Sequence, residues 1–197
     1  MVTFGFALFE TAIGPCAIAW GKGGIAGIQL PERDGAATMS RMQRRFPEAA
    51  ETRPPPGVDL AIRDIAGLLS GEPCDLTRVD LDMSGVPEFH RRVYAIARLI
   101  RPGATSTYGE VAGQLGDPGA ARAVGQALGA NPFPIVVPCH RVLAVDGKVG
   151  GFSANGGQLA KVRLLNIEHA RIGEAPTLFD NHGGLPLGLA RRTAGRR

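Results

Sequence analysis

Apolar and small residues alternate and break at regular intervals through the first thirty positions: "TFGFALFE", a turn at Gly14-Pro15, "CAIAWG", a turn at Lys22-Gly23-Gly24, then "IAGIQL". That period of two with glycine punctuation predicts three short strands of an antiparallel sheet. The period then lengthens. Residues 36–46 fit a short basic helix, and "PEAAETRPPPG" (47–57) reads as a turn-rich connector. Over 58–69, Ile62, Ile65 and Leu69 fall on one helical face, and Gly71, Pro73, Gly85 and Pro87 mark a boundary across 71–86.

Beyond Pro87 the pattern is helical. Phe89, Val93, Ala97 and Ile100 recur at helical spacing until Pro102-Gly103. "TYGE" (107–110) has the form of a capping box, with Thr107 as the cap and Glu110 three positions on. Its helix runs to about Gly116, where Asp117-Pro118 opens another. Two short helices across a tight turn are a candidate helix-turn-helix. The second, "GAARAVGQALGA", is almost all small residues around Arg122. Such a surface suits either tight packing inside the protein or close approach to a ligand. Ile135–Val137, between Pro134 and Pro138, reads as a short buried strand. Asp146-Gly147 reads as a hairpin turn, and "QLAKVRLLNIEHA" (158–170) as a last helix with Leu159, Val162, Leu164 and Leu165 in the core. The fold class expected is α+β. A small N-terminal sheet domain (1–84) precedes a mainly helical domain with a (winged) helix-turn-helix (85–169), then a basic tail (170–197).

Composition narrows the class. The 197 residues are 44% hydrophobic and 20% charged. No apolar run approaches the roughly 20 residues that span a bilayer, and no secretory signal pattern opens the chain. Three cysteines without CxxC spacing argue for free thiols and a cytoplasmic protein. The net charge is +4, unevenly spread: residues 1–84 carry 8 Lys/Arg and 11 Asp/Glu, residues 85–169 carry 9 and 5, and the tail 5 and 2. A basic second half suits a polyanionic partner, and it equally suits a solvated surface.

The candidate chemistry lies in "PCHRV", where Cys139, His140 and Arg141 follow an apolar run. A thiol is a strong nucleophile only as thiolate, so it needs a base or a stabilising field. His140 is adjacent and Glu168 is available on the last helix, which permits a Cys-His-Glu relay; a buried, inert thiol is the alternative. A cysteine hydrolase and a non-enzymatic DNA-binding module also fit parts of this pattern.

Taken together, "RAVGQALGANPFPIVVPCHRV" and "GKVGGFSANGGQLAKVRLLNIE" resemble the active-site signature of the 6-O-alkylguanine-DNA alkyltransferases, the methylated-DNA–protein-cysteine methyltransferases. "STYGEVA" and "GVPEFHRRVYAIARLI" fit the helices upstream, and the first 84 residues fit the family's N-terminal domain more loosely. The resemblance implies direct-reversal DNA repair. The protein would take an alkyl group, irreversibly and once per molecule, from the 6-oxygen of guanine, and from the 4-oxygen of thymine. It assigns Cys139 as acceptor, His140 as base through a water with Glu168 behind it, and Tyr108 as donor to the departing guanine. Asn131 would hold the cysteine turn, and Ser153 and Phe152 the flipped base. Arg122 would fill the gap in the duplex, with Ala120, Ala121, Ala123, Gly125 and Arg141 also facing DNA. The partner implied is double-stranded DNA, bound by a monomer without membrane, cofactor or metal. The chain departs from the family pattern at Phe152, where many relatives have Tyr, and at Ala154, often Gly. Two extra residues also separate Ser153 from the last helix.

Overall fold

The computed structural model describes residues 3–147, 149, 151 and 156–170. Strands β1 (Thr3–Phe9), β2 (Cys16–Gly21) and β3 (Gly24–Gln29) form the expected antiparallel ladder. A fourth strand, β4 (Ala50–Glu51), pairs with β1 in parallel, inside the stretch that reads as connector in the sequence. The sheet is therefore mixed, in the order β3-β2-β1-β4. Two residues are too few to leave a period in the sequence, and both are exposed, so no alternation marks them. Helix α1 (Gly35–Arg45) starts at Asp34, whose carboxylate accepts from the Ala37 amide at 2.8 Å, and α2 (Pro56–Leu69) starts with Pro at its first turn.

Helix α3 (Glu88–Arg98) buries Val93, Tyr94 and Ala97. Its Arg98 donates to the carbonyls of Leu76, Thr77 and Val79 and so pins the interval between the two halves. That interval also runs along β3: Ile25 N–H donates to Asp80 O at 2.9 Å and Asp82 N–H to Ile25 O at 2.8 Å. Gly24 sits at φ 108°, where a Cβ would lie 2.5 Å from Asp80 O, so only glycine lets the chains approach so closely. One apolar cluster extends from Cys16 and Ile18 in the sheet through Ile65, Val93 and Val124 to Val137 and Leu164.

Strand β5 (Ser106–Thr107) leads into helix α4 (Tyr108–Gln114), which carries the full capping box. Glu110 N–H donates to Thr107 Oγ1 at 3.1 Å, and Thr107 N–H donates to the Glu110 carboxylate at 2.7 Å. Gly116 at φ 82° and the Asp117 cap then turn the chain through a 3-10 segment (Pro118–Ala120) into helix α5 (Ala121–Gly129). Strand β6 (Val142–Leu143) pairs with β5 in parallel, and helix α6 (Gly157–Ile167) completes the order.

Three expectations are corrected. Ile135–Val137 is a buried turn rather than a strand: Ile135 has φ 75°, Pro134 bridges Val137, and Val137 N–H donates to Phe133 O at 2.8 Å. Pro132, Pro134 and Pro138 carry no amide hydrogen, so this segment cannot sustain a ladder. Val145–Gly147 is a 3-10 turn instead of a hairpin corner. Leu159 is 81% exposed, whereas Leu164 and Leu165 are buried. Among the described residues no helix is long and apolar enough to cross a membrane.

Candidate active site

Cys139 opens a 3-10 turn, Cys139–Arg141, that follows the buried Ile135 turn. The turn is held from inside by Asn131. Its side-chain amide donates to Val137 O at 2.8 Å while its side-chain oxygen accepts from Phe133 N–H at 2.9 Å. One side chain thus closes both ends of a reversal that three prolines leave short of donors. A β-branched residue at positive φ is a strained conformation, and it persists where neighbours fix it.

His140 is fully buried, with Nε2 3.0 Å from Glu168 Oε1. Arg141 approaches the same carboxylate with two nitrogens, Nε to Oε2 at 2.8 Å and a terminal nitrogen to Oε1 at 2.7 Å. Its other terminal nitrogen donates to Ile100 O at 2.6 Å. This bidentate fork neutralises a carboxylate that would otherwise be costly to bury. Burial pushes the Glu168 pKa up, but the bonds from His140 and Arg141 prevail and hold it at about 2. Burial depresses the His140 pKa against the pull of Glu168, so the imidazole stays neutral. With Glu168 ionised, Nε2 carries the proton and Nδ1 offers a lone pair. Nδ1 is buried and has no hydrogen-bond partner among the described residues. A base with its tautomer fixed and its accepting nitrogen free is what proton removal from a neighbouring thiol requires.

Burial raises the Cys139 pKa, opposed by the Asn131 side chain, the Lys161 charge and the backbone N–H groups of Cys139 and His140. The resting group is a thiol with its stabilisers for the anion already in place. Tyr108 begins α4, and burial followed by the proximity of Cys139 raises its pKa, which keeps the phenol a donor. A cavity of about 270 Å³ touches Cys139 and is lined by Gln29, Leu30, Arg41, Arg45, Asn131 and Pro134.

Arg141 is a correction. It is 5% exposed and bonded to both Ile100 O and the Glu168 carboxylate, so its place is in the buried Glu168 network and not on an outer surface. On α5, Arg122 and Gln126 are exposed, while Ala121, Ala123 and Gly125, with Ala120 just before the helix, are half-buried. A Cβ at Gly125 would lie 3.8 Å from the Tyr108 ring, so the smallness of α5 serves packing as well as an outer surface. Ser153 and Phe152 lie outside the described residues.

Sequence reasoning missed Lys161, Tyr94 and Arg45. Lys161 is fully buried, donates to Val142 O at 2.7 Å and lies 5.7 Å from the centre of the Tyr108 ring. Its position three and four residues before Leu164 and Leu165 puts it on the buried face of α6, a signal the charge of lysine disguised. Tyr94 on α3 donates to Ala127 O at 2.9 Å and ties α5 to the core.

Residues 88–170 match the family model described as 6-O-methylguanine DNA methyltransferase, DNA binding domain. A methylated-DNA–protein-cysteine methyltransferase of Mycolicibacterium paratuberculosis is 40% identical over 156 residues, which is 78% of this chain and 92% of that protein. A crystal structure of the O6-methylguanine methyltransferase of Mycobacterium tuberculosis covers 89% of this chain and 99% of its own, with TM-score 0.66 and 34% identity. Mycobacterium tuberculosis OGT in complex with DNA covers 86% and 95%, again with TM-score 0.66 and 34% identity. On the 40% identity over nearly the whole length of the Mycolicibacterium paratuberculosis relative, the chain belongs to the methylated-DNA–protein-cysteine methyltransferase family.

Proposed function

We propose that this protein repairs alkylated DNA directly, by moving an alkyl group from the 6-oxygen of guanine to Cys139. The observation that carries the reading is the fixed, neutral His140, braced by Glu168 and Arg141, next to a buried thiol whose anion the Asn131 side chain and the Lys161 charge favour against burial. His140 Nδ1 takes the Cys139 proton through a bridging water. Sγ attacks the alkyl carbon in line, the carbon–oxygen bond breaks, and its electron pair leaves on guanine. Tyr108 hydrogen-bonds or protonates that departing ring, which makes guanine the better leaving group. The product is a thioether, and nothing in this set of groups would hydrolyse it, so each molecule reacts once.

The target oxygen is hidden in stacked DNA, so the nucleotide must leave the duplex at a cost of a few kcal/mol. Arg122, exposed on the small-residue surface of α5, fills the space it vacates, while Ala120, Ala121, Ala123 and Gly125 allow the backbone to approach the minor groove. Ser153 and Phe152 hold the flipped base. The 4-oxygen of thymine is a second target of the same kind. The chemistry belongs to 85–169, supported by 1–84 and followed by the basic tail 170–197, in a monomer of the cytoplasm.

Mass spectrometry after mixing with duplex DNA containing one 6-O-methylguanine tests the reading. The expected result is one methyl group per protein, mapped to Cys139. Repeated turnover, or label on Cys16 or Cys74, overturns it.

A further inference from the structure

Besides apolar packing, the N-terminal sheet is tied by hydrogen bonds to the segment before the cysteine turn at the Pro132 carbonyl. β3 is the edge strand of its sheet, and its free side is completed by Asp80–Asp82 and, further along, by Pro132. Ile28 N–H donates to Pro132 O at 2.9 Å. Arg45, the last residue of α1, closes this contact from the other side. One terminal nitrogen donates to Ile28 O at 2.9 Å and the other to Pro132 O at 3.4 Å. Its guanidinium stacks 5.3 Å from the Phe46 ring centre and borders the cavity against Cys139. The two carbonyls gripped by Arg45 are therefore joined to each other by the Ile28 amide, a closed bracket across the two halves of the chain. Pro132 is the neighbour of Asn131, the residue whose side chain closes the Ile135 turn and stabilises the Cys139 anion.

We propose that Arg45 is a positioning residue for alkyl transfer: by fixing the Pro132 carbonyl it holds Asn131, and through Asn131 the thiol of Cys139. The N-terminal half is then part of the machinery that sets the nucleophile. Charge alone does not account for the arrangement. A guanidinium spans two carbonyls from a rigid plane, which an ammonium cannot do. Arg45 touches neither Cys139 nor any group that receives its proton, so its effect passes entirely through the turn.

This inference rests on Cys139 being the alkyl acceptor, and the test separates the two. Methyl transfer to the wild-type protein is measured first and stands or falls alone. The reactivity of Cys139 toward iodoacetamide is then followed against pH by peptide mass spectrometry, well below each variant's unfolding temperature. Arg45→Met keeps an unbranched side chain at this position and removes the donors. It should slow both methyl transfer and labelling by about tenfold, the cost of a small misplacement, and move the labelling profile to higher pH. The groups facing Cys139 from the packed elements, Tyr94, Tyr108, His140 and Lys161, are unchanged in this variant. Arg45→Lys should resemble Met rather than wild type. The decisive arm is a double-mutant cycle: Arg45→Met added to Asn131→Ala should cause no further loss if Arg45 acts through Asn131. Additive losses overturn the proposal, as does a labelling profile that stays at its wild-type pH while only the unfolding temperature falls. Full rescue by Lys would show a charge effect. A loss confined to DNA substrates, with a reduced salt dependence of binding, would show a phosphate contact and equally overturn it.

Discussion

From Phe133 to Arg141 nearly every side chain is buried, whereas α5, just before it, leaves Arg122 and Gln126 in solvent. Apart from His140 Nδ1, the turn's side chains find their polar partners inside the protein: Asn131 closes both ends, and Arg141 and His140 share one carboxylate. The helix makes the opposite choice. Gly125 is small where it faces Tyr108, Val124 and Leu128 anchor the buried side, and the long polar side chains Arg122 and Gln126 stand at exposed positions. Buried charge gains strength from low dielectric only where its partners are fixed. A surface that meets a duplex needs reach and close approach instead. Under the proposed function, chemistry and recognition should therefore answer to different perturbations, although they occupy one continuous stretch of chain.

The sharpest way to separate them is Cys139→Ser. A hydroxyl gives almost no nucleophile at neutral pH, so alkyl transfer should fall to background. The α5 surface is untouched, so affinity for alkylated duplex should stay at the wild-type value in a fluorescence titration. Loss of both together would mean that turn and helix are not independent.

Glu168→Gln attacks the turn from behind. It leaves the Arg141 guanidinium buried without its counter-charge, which should cost about 3–5 kcal/mol in urea unfolding, and it should slow transfer by releasing the His140 tautomer. The same network fixes a pH dependence. The folded pKa of His140 is depressed, so the unfolded chain binds a proton first, and stability falls as pH drops below roughly 6.5. Glu168 is also depressed, to about 2, so its contribution is complete above the unfolded carboxylate pKa of roughly 4.3 and is lost as pH falls from there toward 2. Unfolding free energy measured from pH 7 to 3 should show both limbs in the wild type. In the Gln variant only the upper limb should survive.

Arg122→Ala perturbs the helix alone. Transfer from duplex DNA should slow by roughly tenfold to a hundredfold, since flipping costs a few kcal/mol, with the free 6-O-alkylguanine base barely affected. Arg122→Lys should fall between. Equal losses on both substrates would place Arg122 in the chemistry rather than in the duplex. A Lys variant equal to wild type, with one counterion fewer on truncation, would make it a phosphate contact.

The two regions also differed in how far the sequence revealed them. Local signals were faithful: the Thr107–Glu110 box, the Asp117 cap and the β2 boundaries are all where short-range chemistry put them. The meeting of His140 with Glu168 was legible because both residues sit in motifs with strong family likeness. What hid were features set by tertiary structure. Ile135–Val137 has the composition of a strand, but prolines and the Asn131 bonds fold it into a turn. Arg141 reads as facing DNA and Lys161 goes unread, because a carboxylate and a carbonyl distant in sequence take them inside. β4 is too short to leave a pattern, and the Arg45 bracket joins residues 87 positions apart.

The smallest expected effect lies where the two regions join. Tyr108 is the first residue of α4 and faces both Cys139 and the Gly125 side of α5. Two devices set its place: the capping box, and the β5–β6 ladder that pairs Ser106 with Val142 and Thr107 with Leu143, just after the Cys139 turn. Thr107→Ala removes the oxygen that accepts from Glu110 N–H but leaves the Glu110 carboxylate on the Thr107 amide and the backbone ladder intact. Loss of one cap costs about 1 kcal/mol, read in urea unfolding. If the ladder is what positions Tyr108, the single-turnover rate on duplex DNA should change by less than about twofold, because the backbone that carries the phenol has not moved. A fall in rate well beyond the fall in stability would show that the cap, and not the strand pair, aims Tyr108 at the departing guanine. The helix-turn-helix would then share its first turn with the chemistry, and the division between the two regions would lie inside α4 instead of between α5 and Asn131.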